Sequence, residues 1–125
     1  MSIEWNRPIG PLEALADLPH GTPVWIRADL DVEDRDGVIG DDPRLAGLHD
    51  TLEMGRRKGW RMLLLGHRGR KPEQTLEFVH QKLVKTEPGA GPFVRDWFDE
   101  RAGTLTGAAL EAARTLPPGG WLVLE

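Results

Sequence analysis

The chain has no cysteine and no tyrosine, and five tryptophans and three phenylalanines supply all of its aromatic surface. Without thiols there is no disulfide framework and no cysteine-ligated zinc. That usage suits a reducing compartment, and the expected localisation is cytoplasmic. An excess of positive charge is also missing. Sixteen lysines and arginines face twenty aspartates and glutamates, a net charge of −4. No global field draws in nucleic acid or an anionic membrane, so neither is expected as a partner, and any anion must be held by a local patch. Apolar runs are short, and none approaches the roughly 20 residues that span a bilayer. The opening MSIEWNRPIG has no charged stretch leading into an apolar one, so no signal peptide is expected.

What is plentiful is punctuation. Fifteen glycines and ten prolines divide 125 residues, one domain's length, into short units. Residues 1–21 read as an N-terminal arm with one short helical piece, PLEALADL. TPVWIRADLDV (22–32) is β-branched and apolar at its start and reads as a strand, followed by a polar loop, EDRDGVIGDD. A helix is expected next. Asp41 or Asp42 can cap it, Pro43 suits its first position, Leu45, Leu48, Leu52 and Met54 or Gly55 fall at near-helical spacing, and Gly59 ends it. WRMLLLG (60–66) is apolar without alternation, as in a parallel strand buried on both faces. Further elements are a helix over 72–86 with Leu76, Phe78, Val79 and Leu83 inward, a strand over 92–97, an alanine-rich helix over 105–116, and a strand over 121–125. Strand and helix alternate throughout, which is an α/β pattern with a parallel sheet and right-handed crossovers.

In such sheets ligands bind beyond the carboxyl ends of the strands. That rule points to Arg27, Asp29 and Asp31 after the first strand, and to Gly66–Lys71 after the second. In GHRGRK the glycines allow close backbone approach, and His67, Arg68, Arg70 and Lys71 offer donors to phosphate or carboxylate; the same letters also suit a solvated loop. Asp29 and Asp31, at i and i+2, share a face. They suit a polyol hydroxyl, a loop cap or a metal, the last disfavoured because no third hard ligand is near. Arg44 opposes the dipole of the helix it begins, a conflict relieved by a recruited anion or by pairing with Asp41 or Asp42. His20, His49 and His80 read as structural or solvated, and RRKG (56–59) as a solvated helix end. No metal site is expected.

Taken in order, IRADLDV (26–32), DGVIGDDPRL (36–45), LLLGHRGRK (63–71) and WLVLE (121–125) resemble the N-terminal, phosphoglycerate-binding domain of the phosphoglycerate kinase family. That family shows a strand ending like RVDFNVP, a DGxI-DDxRI loop, a strand ending in SHLGRP, and later LLLEN-R. The resemblance covers the chain from about residue 22, the domain 22–125, and about the first third of a full kinase. It implies a three-layer Rossmann-like parallel sheet with helices on both faces. It implies that Asp29 holds a substrate hydroxyl, that Arg44, His67 and Arg70 contact anionic groups, that Asp31 lies in the substrate site, and that Arg27 supports the site. A basic residue at that strand end can also stabilise the charge in flight, so Arg27 and Arg44 are the candidate catalytic residues.

The implied substrate is a phosphorylated small acid. The chain itself is expected to carry no cofactor. The resemblance places Mg-ATP or Mg-ADP in a C-terminal nucleotide domain absent from these residues, so the chain alone is not expected to turn over. Its expected partners are the substrate, a C-terminal kinase half, or another copy paired at a truncated sheet edge. Asp31, Gly66, Arg68, Lys71 and Glu33 depart from the family letters. They leave open two further readings, a non-catalytic binding module on the same fold and a kinase for a different small carboxylic acid.

Overall fold

The computed structural model describes residues 11–71 and 73–125. Residues 1–10 of the expected arm lie outside the described residues. Its PLEALADL piece forms only a 3-10 turn, Leu12–Leu15, with no buried side chain.

A central sheet is built from β1 (Pro23–Arg27), β4 (Arg61–Leu65), β5 (Ala90–Val94) and β8 (Trp121–Leu124). Every pairing in it is parallel, and the spatial order is β1-β4-β8-β5. The last strand therefore lies in the interior, and the open edges are β1 and β5 rather than the end of the chain. Between these strands come α1 (Pro43–Lys58), α2 (Glu77–Thr86) and α3 (Gly107–Thr115). Among the described residues no helix is long and apolar enough to cross a membrane.

The two sheet faces are covered by different helices. Met62 and Leu64 of β4 and Trp121 and Val123 of β8 pack with Leu45, Leu48 and Leu52 of α1 and Val79 and Leu83 of α2. The alternate residues Leu63, Leu122 and Leu124 face Ala109 and Leu116 at α3. Period-two alternation makes this division, and all four residues of β8 are buried because both faces are covered. The result is the expected three-layer α/β arrangement.

Helix α1 starts and stops by its own residues. Asp42 Oδ1 accepts the Arg44 N–H at 2.8 Å, Pro43 occupies the first position, and Gly59 closes the helix at φ 73°. Gly55 faces inward, where a Cβ would run into the Met62 sulfur. The helix expected from residue 72 begins only at Glu77. Thr75 Oγ1 takes the Glu77 N–H at 3.1 Å, and the Glu125 carboxylate takes the Leu76 N–H at 2.8 Å, so the helix is capped later than its hydrophobic spacing suggests. The strand expected over 92–97 runs Ala90–Val94 and ends where Asp96 turns to φ 50°.

Two small ribbons were not expected. β2 (Asp34–Arg35) and β3 (Val38–Ile39) form a hairpin inside the first loop. Its turn residues Asp36 and Gly37 both have positive φ, 53° and 81°, the geometry that favours Asp-Gly in two-residue hairpins. β6 (Phe98–Asp99) and β7 (Thr104–Leu105) form the other, just before α3.

Candidate functional site at the strand tips

The tips of β1 and β4 are in close contact. The Ala28 N–H donates to the Leu65 carbonyl at 2.8 Å, and a Cβ on Gly66 would meet the Ala28 oxygen at 2.9 Å. Glycine is therefore required at 66 by packing, whatever the ligand. The loop that follows sends its cations in opposite directions. Arg68 turns inward, with 5% of its surface exposed. Its Nε donates to the Val32 carbonyl at 2.7 Å, its Nη1 to the Thr75 carbonyl at 3.1 Å, and its Nη2 pairs with Asp34 Oδ1. The guanidinium lies over the Phe78 ring, 5.6 Å from its centre. His67, Arg70 and Lys71 are exposed. Gly69, at φ 63°, separates the two directions and donates its N–H to Asp31 Oδ1 at 2.8 Å. Gln74 Oε1 accepts the Arg70 and Lys71 N–H groups at 3.0 and 3.1 Å.

Arg44 ties helix α1 to the β1 loop. Its Nη1 donates to the Asp31 carbonyl at 2.6 Å, its Nε lies 3.7 Å from Asp29 Oδ2, and its Nη1 lies 3.9 Å from Asp42 Oδ2. The pairing with Asp42 considered from sequence is thus present alongside a second one with Asp29. Its side chain keeps half its surface exposed.

Arg27, Asp29, Asp31 and His67 line one cleft of about 260 Å³. Arg27, Gly66 and His67 also border a larger cavity of about 470 Å³, whose other walls include Leu65, Leu124, Trp97 and Glu125. Arg44 lines neither; with Asp31 it borders a third cavity of about 760 Å³ beneath the β2–β3 hairpin. Arg70 lines none of the three. The side chains of Arg27, His67 and Arg70 make no ion pair with any described residue. The site is therefore a groove with Arg27 and His67 at its centre, Asp29 and Arg44 on one flank, and Arg70 standing off from it.

Two readings of individual residues need correction. Arg68 is not a marker of a changed ligand: its guanidinium is spent on the protein's own carbonyls and Asp34. Arg56 is not part of a solvated helix end, because its Nη1 is buried and lies 3.8 Å from Glu87. His49 was read as structural or solvated, and the structural part is a contact with Glu87: its Nδ1 lies 2.9 and 3.0 Å from the two oxygens of that buried carboxylate. His80 has the structural role assigned to it, donating Nε2 to the Gly91 carbonyl at 2.8 Å against Phe93 and Trp121. Trp97 and Glu125 were missed as groove residues. Glu125 binds Thr75 Oγ1 at 3.0 Å and faces Arg95 Nη1 at 3.8 Å; its place just past a buried strand was the available signal.

The fold is an α/β domain of Rossmann-like type, and the groove lies at the strand tips, the edge where sheets of this class bind ligands. No family model matches the chain. The phosphoglycerate kinase of Novosphingobium aromaticivorans is 35% identical over 120 residues, 91% of this chain and 27% of that protein. That of Clavibacter sepedonicus is 34% identical over 117 residues, 91% and 28% of the two chains. The crystal structure of phosphoglycerate kinase from Pyrococcus horikoshii OT3 matches the fold with a TM-score of 0.73, covering 93% of this chain and 27% of that one at 22% identity. The chain is a divergent relative of the phosphoglycerate kinases along one domain's length, and it spans little more than a quarter of the curated relatives it matches.

Proposed function

We propose that this chain is the acid-binding domain of a phosphoglycerate-kinase-type phosphotransferase. The observation that carries the reading is the pair of exposed cations, Arg27 and His67, facing a groove at the strand tips with Asp29 and Arg44 beside them. Arg27 and His67 would hold the anionic groups of a phosphorylated small acid, Asp29 would accept its hydroxyl, and Arg70 would reach in as the groove fills. In the direction that makes ATP, the bond between the acyl oxygen and phosphorus breaks, a bond from phosphorus to the terminal ADP oxygen forms, and a carboxylate is left. Magnesium–nucleotide would be bound outside these residues, and Arg27 and Arg44 would stabilise the transferring charge. A place in glycolysis and in the cytoplasm belongs to the same proposal. Asp31, whose Oδ1 accepts the Gly69 N–H, would have to face a hydroxyl of the acid and not its charged groups.

One feature favours a second reading. Trp97, Leu65, Leu76 and Leu124 give the larger cavity apolar walls, which suit a phosphorylated acid with a hydrocarbon group. Titrating 3-phosphoglycerate into the labelled chain and following the histidine ring signals tests the first. His67 should shift at millimolar ligand while His20, His49 and His80 stay, and Arg27→Ala should weaken binding about tenfold or more. Response only to a bulkier apolar phosphorylated acid would support the second reading. Silence of His67 to both would overturn the proposal in favour of a non-catalytic module.

A further inference from the structure

We propose that Glu125 is a positioning residue of the strand-tip groove: it fixes the start of α2 and, through Thr75 and Arg68, the loop that carries His67. The inference rests on the reading of that groove as an acid site. The loop Gly66–Lys71 has two glycines in six residues, too little local restraint to set its own shape. Its inner side hangs on Arg68, and one of the acceptors of Arg68 is the Thr75 carbonyl, at 3.1 Å. Thr75 is itself buried and lies just before α2, where backbone N–H groups have no helical acceptor. A carboxylate from the tip of β8 meets this segment. Glu125 Oε1 takes the Leu76 N–H at 2.8 Å, and Oε2 takes the Thr75 hydroxyl at 3.0 Å. A carboxylate only accepts and a hydroxyl has one proton, so that proton points to Glu125. The hydroxyl's lone pairs are left for the Glu77 N–H, at 3.1 Å.

Glu125 is held in its turn. Its N–H donates to the Val94 carbonyl at 2.9 Å, and Arg95 Nη1 lies 3.8 Å from Oε2. The carboxylate therefore ties the tips of β8 and β5 to the first turn of α2. Leu76, Arg68 and Glu125 itself all border the cavity that Arg27 and His67 share. Two effects of Glu125 on an acidic ligand oppose each other there. Its charge alone disfavours a nearby anion, so removing it would tighten binding. Its hydrogen bonds hold two walls of the cavity, so removing them would weaken binding. Positioning is the larger effect, because both oxygens are engaged by donors before any ligand arrives. Arg95 and the N-terminal end of α2 offset the charge further.

The test is titration of 3-phosphoglycerate into the whole labelled chain, with the His67 ring and Arg68 Nε–H signals followed before and after ligand. Glu125→Gln and Thr75→Val should each weaken binding about fivefold to tenfold. The two together should weaken it no more than the larger single change, because they break one relay. Glu125→Asp keeps the charge but shortens the reach by a methylene, and should weaken binding as well. Thr75→Ser restores the hydroxyl and should recover it. Before ligand is added, Glu125→Gln and Thr75→Val should move the same Arg68 and His67 signals. Gly55→Ala, which loosens packing under α1, should bind as the native chain does, so a general loss of stability is told apart. Tighter binding by Glu125→Gln, or unmoved Arg68 and His67 signals in that free variant, would overturn the proposal. A native chain whose His67 ignores 3-phosphoglycerate would overturn the acid-binding reading instead, and the spectra of the free chains would still decide whether Glu125 sets the loop.

Discussion

Arg68 offers the sharpest test of which loop cations belong to the scaffold and which to a ligand. In Arg68→Ala the carbonyls of Val32 and Thr75 and the carboxylate of Asp34 all lose their donor. A hydrogen bond from a charged donor is worth about 1.5–3 kcal/mol net, but three on one guanidinium are not additive. Breaking a buried ion pair from one side costs about 3–5 kcal/mol, so a loss of about 4 kcal/mol is expected. Arg68→Lys keeps the charge but not the fork and should lose about 2 kcal/mol. Asp34→Asn should lose about 1 kcal/mol or less, since that side chain is partly exposed. Urea unfolding followed by tryptophan fluorescence reads this directly, because Trp60 and Trp121 are fully buried. With a urea slope of about 2 kcal/mol per molar, the Arg68→Ala midpoint should fall by about 2 M. If that variant unfolds outright, the order Arg68→Lys below Asp34→Asn below native still tests the account. An Arg68→Lys chain as stable as the native one would refute the reasoning, as would Arg70→Ala matching the Arg68→Ala loss.

Two further outcomes are expected. Gly55→Ala places a methyl on the sulfur of the fully buried Met62, and thermal unfolding should show a loss of about 1–3 kcal/mol despite alanine's better helix propensity. The hydrogen bond to Glu87 and the charges of Glu87, Glu53 and Asp50 raise the His49 pKa above its ordinary 6.5, against a smaller desolvation effect. A raised folded-state pKa contributes stability that is fully present below the unfolded value and is lost as pH rises through the folded one. Stability should therefore decline from about pH 6.5 upward, and His49→Gln should remove that slope. An unchanged slope would show that the pair with Glu87 does not form.

The order of elements was legible in the letters because each depends on neighbours in sequence. Leu45, Leu48 and Leu52 repeat at helical spacing, Asp42-Pro43 opens the helix, and Gly59 closes it. MLLL and WLVL lack alternation because both of their faces are covered. The β2–β3 hairpin was legible too, in Asp36-Gly37, and was hidden only by its polar composition. The start of α2 was not, since its cap comes partly from Glu125, 49 residues away.

Sequence alone determined that this is a parallel α/β domain with cations at two strand tips, because periodicity, capping and strand-end position are local properties. It did not determine which cation is free. Arg68 and Arg70 are the same residue two positions apart. Only the positive φ of Gly69 and the waiting acceptors at Val32, Thr75 and Asp34 send one inward and leave the other in solvent. The interior place of β8 and the meeting of His49 with Glu87 were likewise decided by tertiary structure. Each joins residues tens of positions apart, whose proximity is set by the packing of whole helices on the sheet and not by any neighbour in the chain.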